Sequence, residues 1–168
     1  MVKKHLLIPD YIFDSILEIT PAFLVQQGVR GVLVDIDGTA ASHHAPLPTD
    51  ALRAWVENLQ KAEVSVLFLS NNRAERVQRF AEAVGVPWLS RACKPLLGGF
   101  RRGLERLGLP AQAVAVIGDQ VYTDTLGGNR LGLKTCLVRS IDRHEPFIRL
   151  RWLFERPFAA RAKKHKGE

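Results

Sequence analysis

The chain has no apolar run of about 18 residues, the length a bilayer demands, so no membrane-spanning helix is expected. Its start, Met1-Val2-Lys3-Lys4-His5-Leu6-Leu7-Ile8-Pro9-Asp10, has too short an apolar core for a secretory signal, and a cytoplasmic protein is expected. Cysteine is scarce. Cys93 and Cys136 stand far apart, without a Cys-x-x-Cys or Cys/His ligand spacing, which excludes a disulfide framework or zinc site and casts both as reduced packing residues. Internal repeats and low-complexity segments are also missing.

What is present is enough for one domain: 168 residues, 46% of them apolar, can build a single substantial core. The net charge of +7 is unevenly spread. Residues 139–168 hold nine Lys/Arg against four Asp/Glu, while the remaining 138 residues carry only +2. A basic end on a nearly neutral body points to an anionic partner: a phospholipid surface, RNA or a phosphorylated substrate. No motif in the chain supports RNA.

Apolar runs of strand length alternate with amphipathic runs of helix length, the pattern of a parallel sheet joined by crossover helices. Strands are expected at 31–36, 64–70, 86–90, 113–118 and 134–139, and helices at 49–61, 73–84, 95–107 and 123–131. Thr49 is the expected N-cap of the first helix, and Gly85 and Gly108 stand where the second and third should stop. Gly98 and Gly99 weaken the third helix by about 1 kcal/mol each relative to alanine, leaving open a start after them. Residues 9–27 carry Tyr11, Ile12, Ile16, Leu17, Phe23, Leu24 and Val25 around Pro21, which suggests two short helices. Their apolar face is expected to pack on the sheet, with a peripheral membrane or partner contact as the alternative. After the last strand, residues 146–156 mix large apolar side chains with arginines, and a basic tail without structure is expected from 161 onward. The expected organisation is an N-terminal helical segment (1–30), an α/β core (31–141) and a basic, partly helical extension (142–168).

Chemistry gathers at the strand ends. Asp35-Ile36-Asp37-Gly38-Thr39 follows the apolar run Gly31-Val32-Leu33-Val34, which delivers two carboxylates into the crevice where open parallel sheets bind ligands. With a hard divalent cation beside it, such a carboxylate can attack phosphorus instead of being repelled by phosphate. The second strand ends in Ser70-Asn71-Asn72, where a hydroxyl and helix-start amides can hold phosphate oxygens. Lys94 follows the third strand and can reach the same crevice as a point charge. The fourth strand ends in Gly118-Asp119-Gln120-Val121-Tyr122-Thr123-Asp124, an acidic cluster able to complete an oxygen-ligand shell for magnesium with Asp35.

Asp35-x-Asp37-x-Thr39, Ser70, Lys94 and Gly118-Asp119-x-x-x-x-Asp124 resemble the four ordered motifs of the haloacid dehalogenase (HAD) superfamily of phosphohydrolases, over nearly the whole chain. Ile19-Thr20-Pro21, Leu69-Ser70-Asn71-Asn72, Ala92-Cys93-Lys94-Pro95 and the stretch from Gly118 to Gly132 look like the subclass IIIA bacterial phosphatases of the YqeG type. The resemblance implies a three-layer, Rossmann-like HAD fold around a mainly parallel sheet of about five strands. It implies Asp35 as nucleophile forming an aspartyl phosphate, and Asp37 as acid and then base, with its carbonyl on the metal. It further implies Ser70, Asn71 and Lys94 on the phosphoryl group, Mg2+ held by Asp35, Asp37 and Asp119, and support from Asp124 and Thr39. Ala40, where many members carry a larger aliphatic residue, is a packing departure that leaves these roles alone.

Relatives acting on small metabolites insert a cap domain, yet only residues 38–48 separate the catalytic loop from the next helix, and 23 residues separate Ser70 from Lys94. Neither gap holds a large cap. An uncovered site suits a phospholipid headgroup at the inner face of the membrane, a phosphorylated macromolecule, or coverage by oligomer contacts. The expected function is a Mg2+-dependent phosphomonoester phosphatase. The alternatives are a non-catalytic protein of the same fold engaging RNA, the ribosome or membrane through its basic tail, and a phosphoacceptor switch, against which Asp37 speaks. His43 and His44 are expected to be solvated, Gly127 to Gly132 to form a turn, and Trp55, Trp88 and Phe100 to be core.

Overall fold

Val32, Leu33 and Val34 are fully buried, so their strand must be covered on both faces, which crossover helices on a parallel sheet achieve. The computed structural model describes residues 5–164. Its strands are β1 (Tyr11–Phe13), β2 (Gly31–Val34), β3 (Ser65–Leu69), β4 (Trp88–Leu89), β5 (Val114–Gly118), β6 (Lys134–Val138) and β7 (Lys163–Lys164). Its helices are α1 (Pro21–Gln26), α2 (Asp50–Lys61), α3 (Ala74–Glu82), α4 (Leu97–Leu107), α5 (Leu126–Leu131) and α6 (Pro146–Ala159). The strands form one sheet in the order β4-β3-β2-β5-β6-β1-β7, all pairs parallel.

Alternation along β2 sorts the layers. Val32 and Val34 pack with Trp55 and Leu59 of α2 and Phe80 of α3, whereas Leu33, on the other face, packs with Phe100 of α4. The result is an α/β/α sandwich with α1, α2 and α3 on one side and α4 and α5 on the other. Helix α6 joins the second side over β6 and β1, where Trp152 and Phe158 meet Ile12 and Leu137.

The five expected strands are present, and two more extend the sheet. Between residues 9 and 27 a 3-10 turn (Ile16–Glu18) and α1 form as short helical pieces, but Tyr11–Phe13 is a strand beside β6. Three residues show too little alternation for such a short strand to be read. The apolar side chains of this segment, including Phe13, Ile16, Phe23 and Leu24, are buried in the core. The basic end is likewise not structureless throughout, because Lys163–Lys164 pairs with β1. Lysine suits an exposed edge that must not recruit another chain. The rest of the expected tail, 165–168, lies outside the described residues.

Local chemistry places most boundaries. Thr49 Oγ1 accepts the Leu52 N–H at 3.2 Å and so caps α2. Gly108 and Gly132, at φ 65° and 75°, end α4 and α5. Both Gly98 and Gly99 lie inside α4, against a start beyond them, and tertiary packing explains it. A Cβ at Gly99 would stand 2.4 Å from the Ala92 carbonyl oxygen, so only glycine lets α4 approach that loop. The stretch from Gly127 to Gly132, expected as a turn, contains most of α5, preceded by a widened π-helical turn (Val121–Thr125). A Cβ at Gly127 would lie 2.2 Å from Phe100, and one at Gly128 2.4 Å from Val116. These glycines are contact surfaces for α4 and the sheet. Trp55 and Phe100 are core as expected, while Trp88 is half-buried at the β4 edge. Cys136 is buried, but Cys93 is an exposed free thiol in the loop after β4, not a packing residue.

Gly128→Ala should therefore destabilise the fold by about 1–3 kcal/mol despite alanine's better helix propensity, because the added methyl overpacks Val116 and Thr135. Urea denaturation reads this directly; an unchanged or higher midpoint would mean that α5 has slack against the sheet.

Candidate active site

Parallel registry brings the strand ends level. Val34 of β2 lies beside Phe68 of β3 and Ile117 of β5, and the Asp35 N–H donates to the Ile117 carbonyl at 2.9 Å. From β2 the chain runs outward to β3 and β4, then returns across it to β5. A switch in strand order of this kind leaves a crevice at the carboxyl ends, between the two crossovers. Asp35, Ser70 and Asp119 each follow the last residue of one of these strands, so each is delivered to that crevice.

Lys94 draws two of the acids together. Its ammonium donates to Asp35 Oδ1 and to Asp124 Oδ1, each at 2.7 Å, and all three side chains are buried. Asn71 fixes the lysine's backbone from both sides: the Lys94 N–H donates to Asn71 Oδ1 at 2.7 Å, and Asn71 Nδ2 donates to the Lys94 carbonyl at 3.1 Å. The loop carrying Lys94 holds Arg91 and Cys93 in the left-handed region at φ 47° and 54°. Asp119 completes the cluster, for one carboxylate oxygen each from Asp35, Asp119 and Asp124 lies within 4.8 Å of the others. Thr39 Oγ1 donates to Asp119 Oδ1 at 3.5 Å, a long contact, and Gly38 passes so close that its Cβ would be 2.6 Å from Asp119 Oδ2.

The side chain of Asp37 stands apart from that cluster. Its Oδ1 accepts from Arg76 Nε at 2.8 Å and Nη2 at 2.5 Å, and its Oδ2 accepts from Asn72 Nδ2 at 3.1 Å. Arg76 also donates to the carbonyls of Ser42 and Ala45, tying the short loop after Asp37 to the first turns of α3. Ser70 Oγ accepts the Asn72 N–H at 3.1 Å, so Ser70 shapes the same turn from within. His43 is not simply solvated. Its Nδ1 lies 2.5 Å from Asp142 Oδ2, and although partial burial disfavours the cation, Asp142's hydrogen bond and charge raise the imidazole's pKa.

Three residues at this site escaped the sequence reading: Arg76, Arg151 and Glu155. The last two come from α6, within the segment read as a basic extension. Arg151 Nη2 donates to Asp119 Oδ2 at 2.7 Å and its Nε lies 3.3 Å from Glu155 Oε2, while Glu155 Oε1 accepts the Val121 N–H at 2.8 Å. Helix α6 thus grips both the carboxylate of Asp119 and the turn that follows it. The available signal was the i, i+4 pair of opposite charges, with Glu155 the one acid in a helix whose other charged residues are arginines.

Summed charge defines what the cluster can hold. Among the described residues, Asp35, Asp119, Asp124 and Glu155 face only Lys94 and Arg151, leaving a surplus of two formal negative charges among these interior side chains. Burial pushes Asp35 up to about 7, against the pull of Lys94 and with a further push from Asp124 and Asp119. Burial also raises Asp119, more than Arg151 offsets, and it raises Glu155. Lys94 is held more firmly protonated than usual, since the two carboxylates outweigh its desolvation. Hard carboxylate oxygens with an unbalanced charge of two fit a divalent cation, which would relieve the crowding that raises these acids.

Two outcomes follow for metal-free protein. Arg151→Met should lower stability by about 3 kcal/mol, because it leaves Asp119 and Glu155 buried without their cation; a denaturation midpoint like that of the unaltered chain would contradict this. Asp35 has its ordinary value of 3.8 when unfolded and about 7 when folded, so its stabilising contribution is present below about pH 4 and lost as pH rises to about 7. Asp35→Asn should then gain stability over the unaltered chain progressively across that window and level off above it, whereas a pH-independent difference would contradict the burial of an ionisable Asp35.

Comparison with known proteins agrees with this geometry. The HAD-hydrolase-like family model matches residues 92–146, which include Lys94, Asp119 and Asp124. Probable phosphatase YqeG of Bacillus subtilis (strain 168) is 37% identical over 148 residues, covering 88% of this chain and 86% of that protein. Among solved structures, the cobalt-bound deoxy-D-mannose-octulosonate 8-phosphate phosphatase of Haemophilus influenzae superposes with a TM-score of 0.54 at 16% identity, covering 67% of this chain and 69% of that one. The 3-deoxy-D-manno-octulosonate 8-phosphate phosphatase of Yersinia pestis gives 0.52 at 16%, covering 68% and 66%. At such identities these two speak for the fold alone. The extent of the match to YqeG, with the strand-end carboxylates and the buried lysine, shows that the chain belongs to the YqeG family of phosphatases within the haloacid dehalogenase superfamily.

Proposed function

We propose that the protein is a Mg2+-dependent phosphomonoesterase of HAD subclass IIIA that works through an aspartyl phosphate on Asp35. The observation that carries this reading is the position of Lys94, 2.7 Å from both Asp35 and Asp124, at the rim of a carboxylate cluster with two unbalanced negative charges. A dianionic phosphoryl group entering such a cluster needs both a cation and a metal, and the donor set suits magnesium, which prefers carboxylate oxygens. Asp35, Asp119 and Asp124 would hold the ion, with the Asp37 carbonyl beside it. The ion would neutralise charge on the transferring group.

The remaining steps belong to this chain's own side chains. Asp35 attacks phosphorus, and the bond from phosphorus to the leaving oxygen breaks as Asp37 supplies that oxygen with a proton. Asp37 then takes a proton from the water that attacks the aspartyl phosphate, releasing inorganic phosphate and restoring Asp35. Arg76 and Asn72 hold the Asp37 carboxylate at the crevice; Ser70, Asn71 and the Lys94 ammonium receive the phosphoryl oxygens. Thr39 and Arg151 steady Asp119. A scaffold without chemistry has no physical need for a buried net charge, so the non-catalytic alternative gains no support from this site.

The short segments 38–48 and 71–93 leave the crevice without a large cap, which favours an ester presented by a phospholipid headgroup or a macromolecule. A cytoplasmic setting is supported by two free cysteines, and among the described residues no helix is long and apolar enough to cross a membrane.

Phosphate release from para-nitrophenyl phosphate with Mg2+ should vanish in Asp35→Asn. In Asp37→Asn it should fall by about 10²- to 10⁴-fold, the usual worth of a general acid–base. Equal release by the unaltered protein and Asp35→Asn would remove the enzyme reading.

A further inference from the structure

We infer that the outer face of α6 is a docking surface for an anionic lipid bilayer, and that the Asp119 side of the active site borders it. Helix α6 keeps its polar contacts on its inner side, where Arg151 and Glu155 reach Asp119 and Val121. Its outer side is apolar and uncovered: Phe147, Leu150, Leu153 and Phe154 are 75%, 54%, 62% and 63% exposed. Spacings of three, four and seven residues place these four on one stripe. Large side chains gathered in this way have no use in water.

Charge decides what covers them. Arg149 and Arg156 lie at the border of the stripe, with Arg143 before the helix and Arg161 after it, all exposed. Apolar side chains bordered by arginines match the interface of an anionic bilayer, where rings and aliphatic chains enter the acyl boundary and guanidinium groups meet phosphates. A second copy of the chain fits less well, because stacking two such helices would set arginine against arginine. An RNA would answer the arginines and leave the stripe wet. With 14 residues, α6 is about 21 Å long, too short to cross a bilayer but long enough to lie on one.

The Asp119 side of the site borders this face. A cavity of about 540 Å³ is walled by Asp119 together with Arg143, Arg149, Arg151, Trp152 and Leu153, so one helix supplies both the cavity wall and the stripe. Tyr122, between Asp119 and Asp124, donates a 3.4 Å hydrogen bond to the Phe154 carbonyl, joining the catalytic turn to the same surface. A docked α6 would therefore bring the cavity beside Asp119 to the headgroups. That last point rests on the phosphatase reading; the docking itself does not.

The test is flotation of the full chain at low salt with vesicles of phosphatidylcholine, with or without phosphatidylglycerol. Binding is expected only with phosphatidylglycerol. It should weaken by about tenfold or more in Leu150→Glu/Phe154→Glu, which removes two large apolar anchors, and also fall in Arg156→Glu. Melting temperature and turnover of para-nitrophenyl phosphate should match the unaltered protein. Should the double variant fold poorly, Phe147→Ser serves, since three-quarters of that side chain is already in water. Absence of flotation, equal flotation with neutral vesicles, or equal flotation of the variants overturns the inference. So does a dimer, or binding of transfer RNA, that the stripe variants abolish while vesicle binding persists. Docking without turnover of the soluble ester would retain this inference and remove the phosphatase reading.

Discussion

A single ammonium group, that of Lys94, stands 2.7 Å from two carboxylates in the interior of this protein, and much of the structure serves to hold it there. Isolated charges are costly to bury, and four acids against two bases leave that cost unbalanced. The fold meets it by rigidity. Asn71 clamps the lysine's backbone on both sides, two residues of its loop adopt left-handed conformations, and glycines at 38, 99 and 118 admit the close approaches that bring the loop and the acidic turn over β2. The excess negative charge is what makes the site fit a divalent ion.

The second organising feature is that the crevice is finished from outside the central α/β unit. Arg151 and Glu155, on a helix beyond the last core strand, take hold of Asp119 and the backbone of Val121. Asp119 has to be oriented within the crevice, and here helix α6 supplies that orientation. The same helix carries an uncovered apolar stripe on its other side.

Much of this was legible in the sequence. Apolar runs such as Gly31-Val32-Leu33-Val34 and Val114-Ala115-Val116-Ile117 named the central strands, because burial on both faces demands unbroken hydrophobicity, and the carboxylates after them named the crevice. Thr49 and Gly108 marked helix ends through local chemistry alone. What stayed hidden depends on contacts remote in sequence. The strands β1 and β7, at one end of the sheet, are only three and two residues long, and pairing across the chain makes them. Glycines 127 and 128 look like a turn until Phe100 and Val116 are seen against them. Arg76 and Arg151 are ordinary surface arginines until the fold sets each against a carboxylate.

The central claim is that the two surplus charges are made for a divalent ion, and titration of the metal-free protein with Mg2+, by calorimetry and thermal melting, tests it most directly. The account predicts one ion per chain, a melting temperature raised by the metal, and affinity that climbs as pH rises to about 7, where Asp35 gives up its proton. It also predicts that Asp119→Asn loses this binding without losing its fold. A melting temperature unmoved by Mg2+, or binding that Asp119→Asn retains in full, would contradict it.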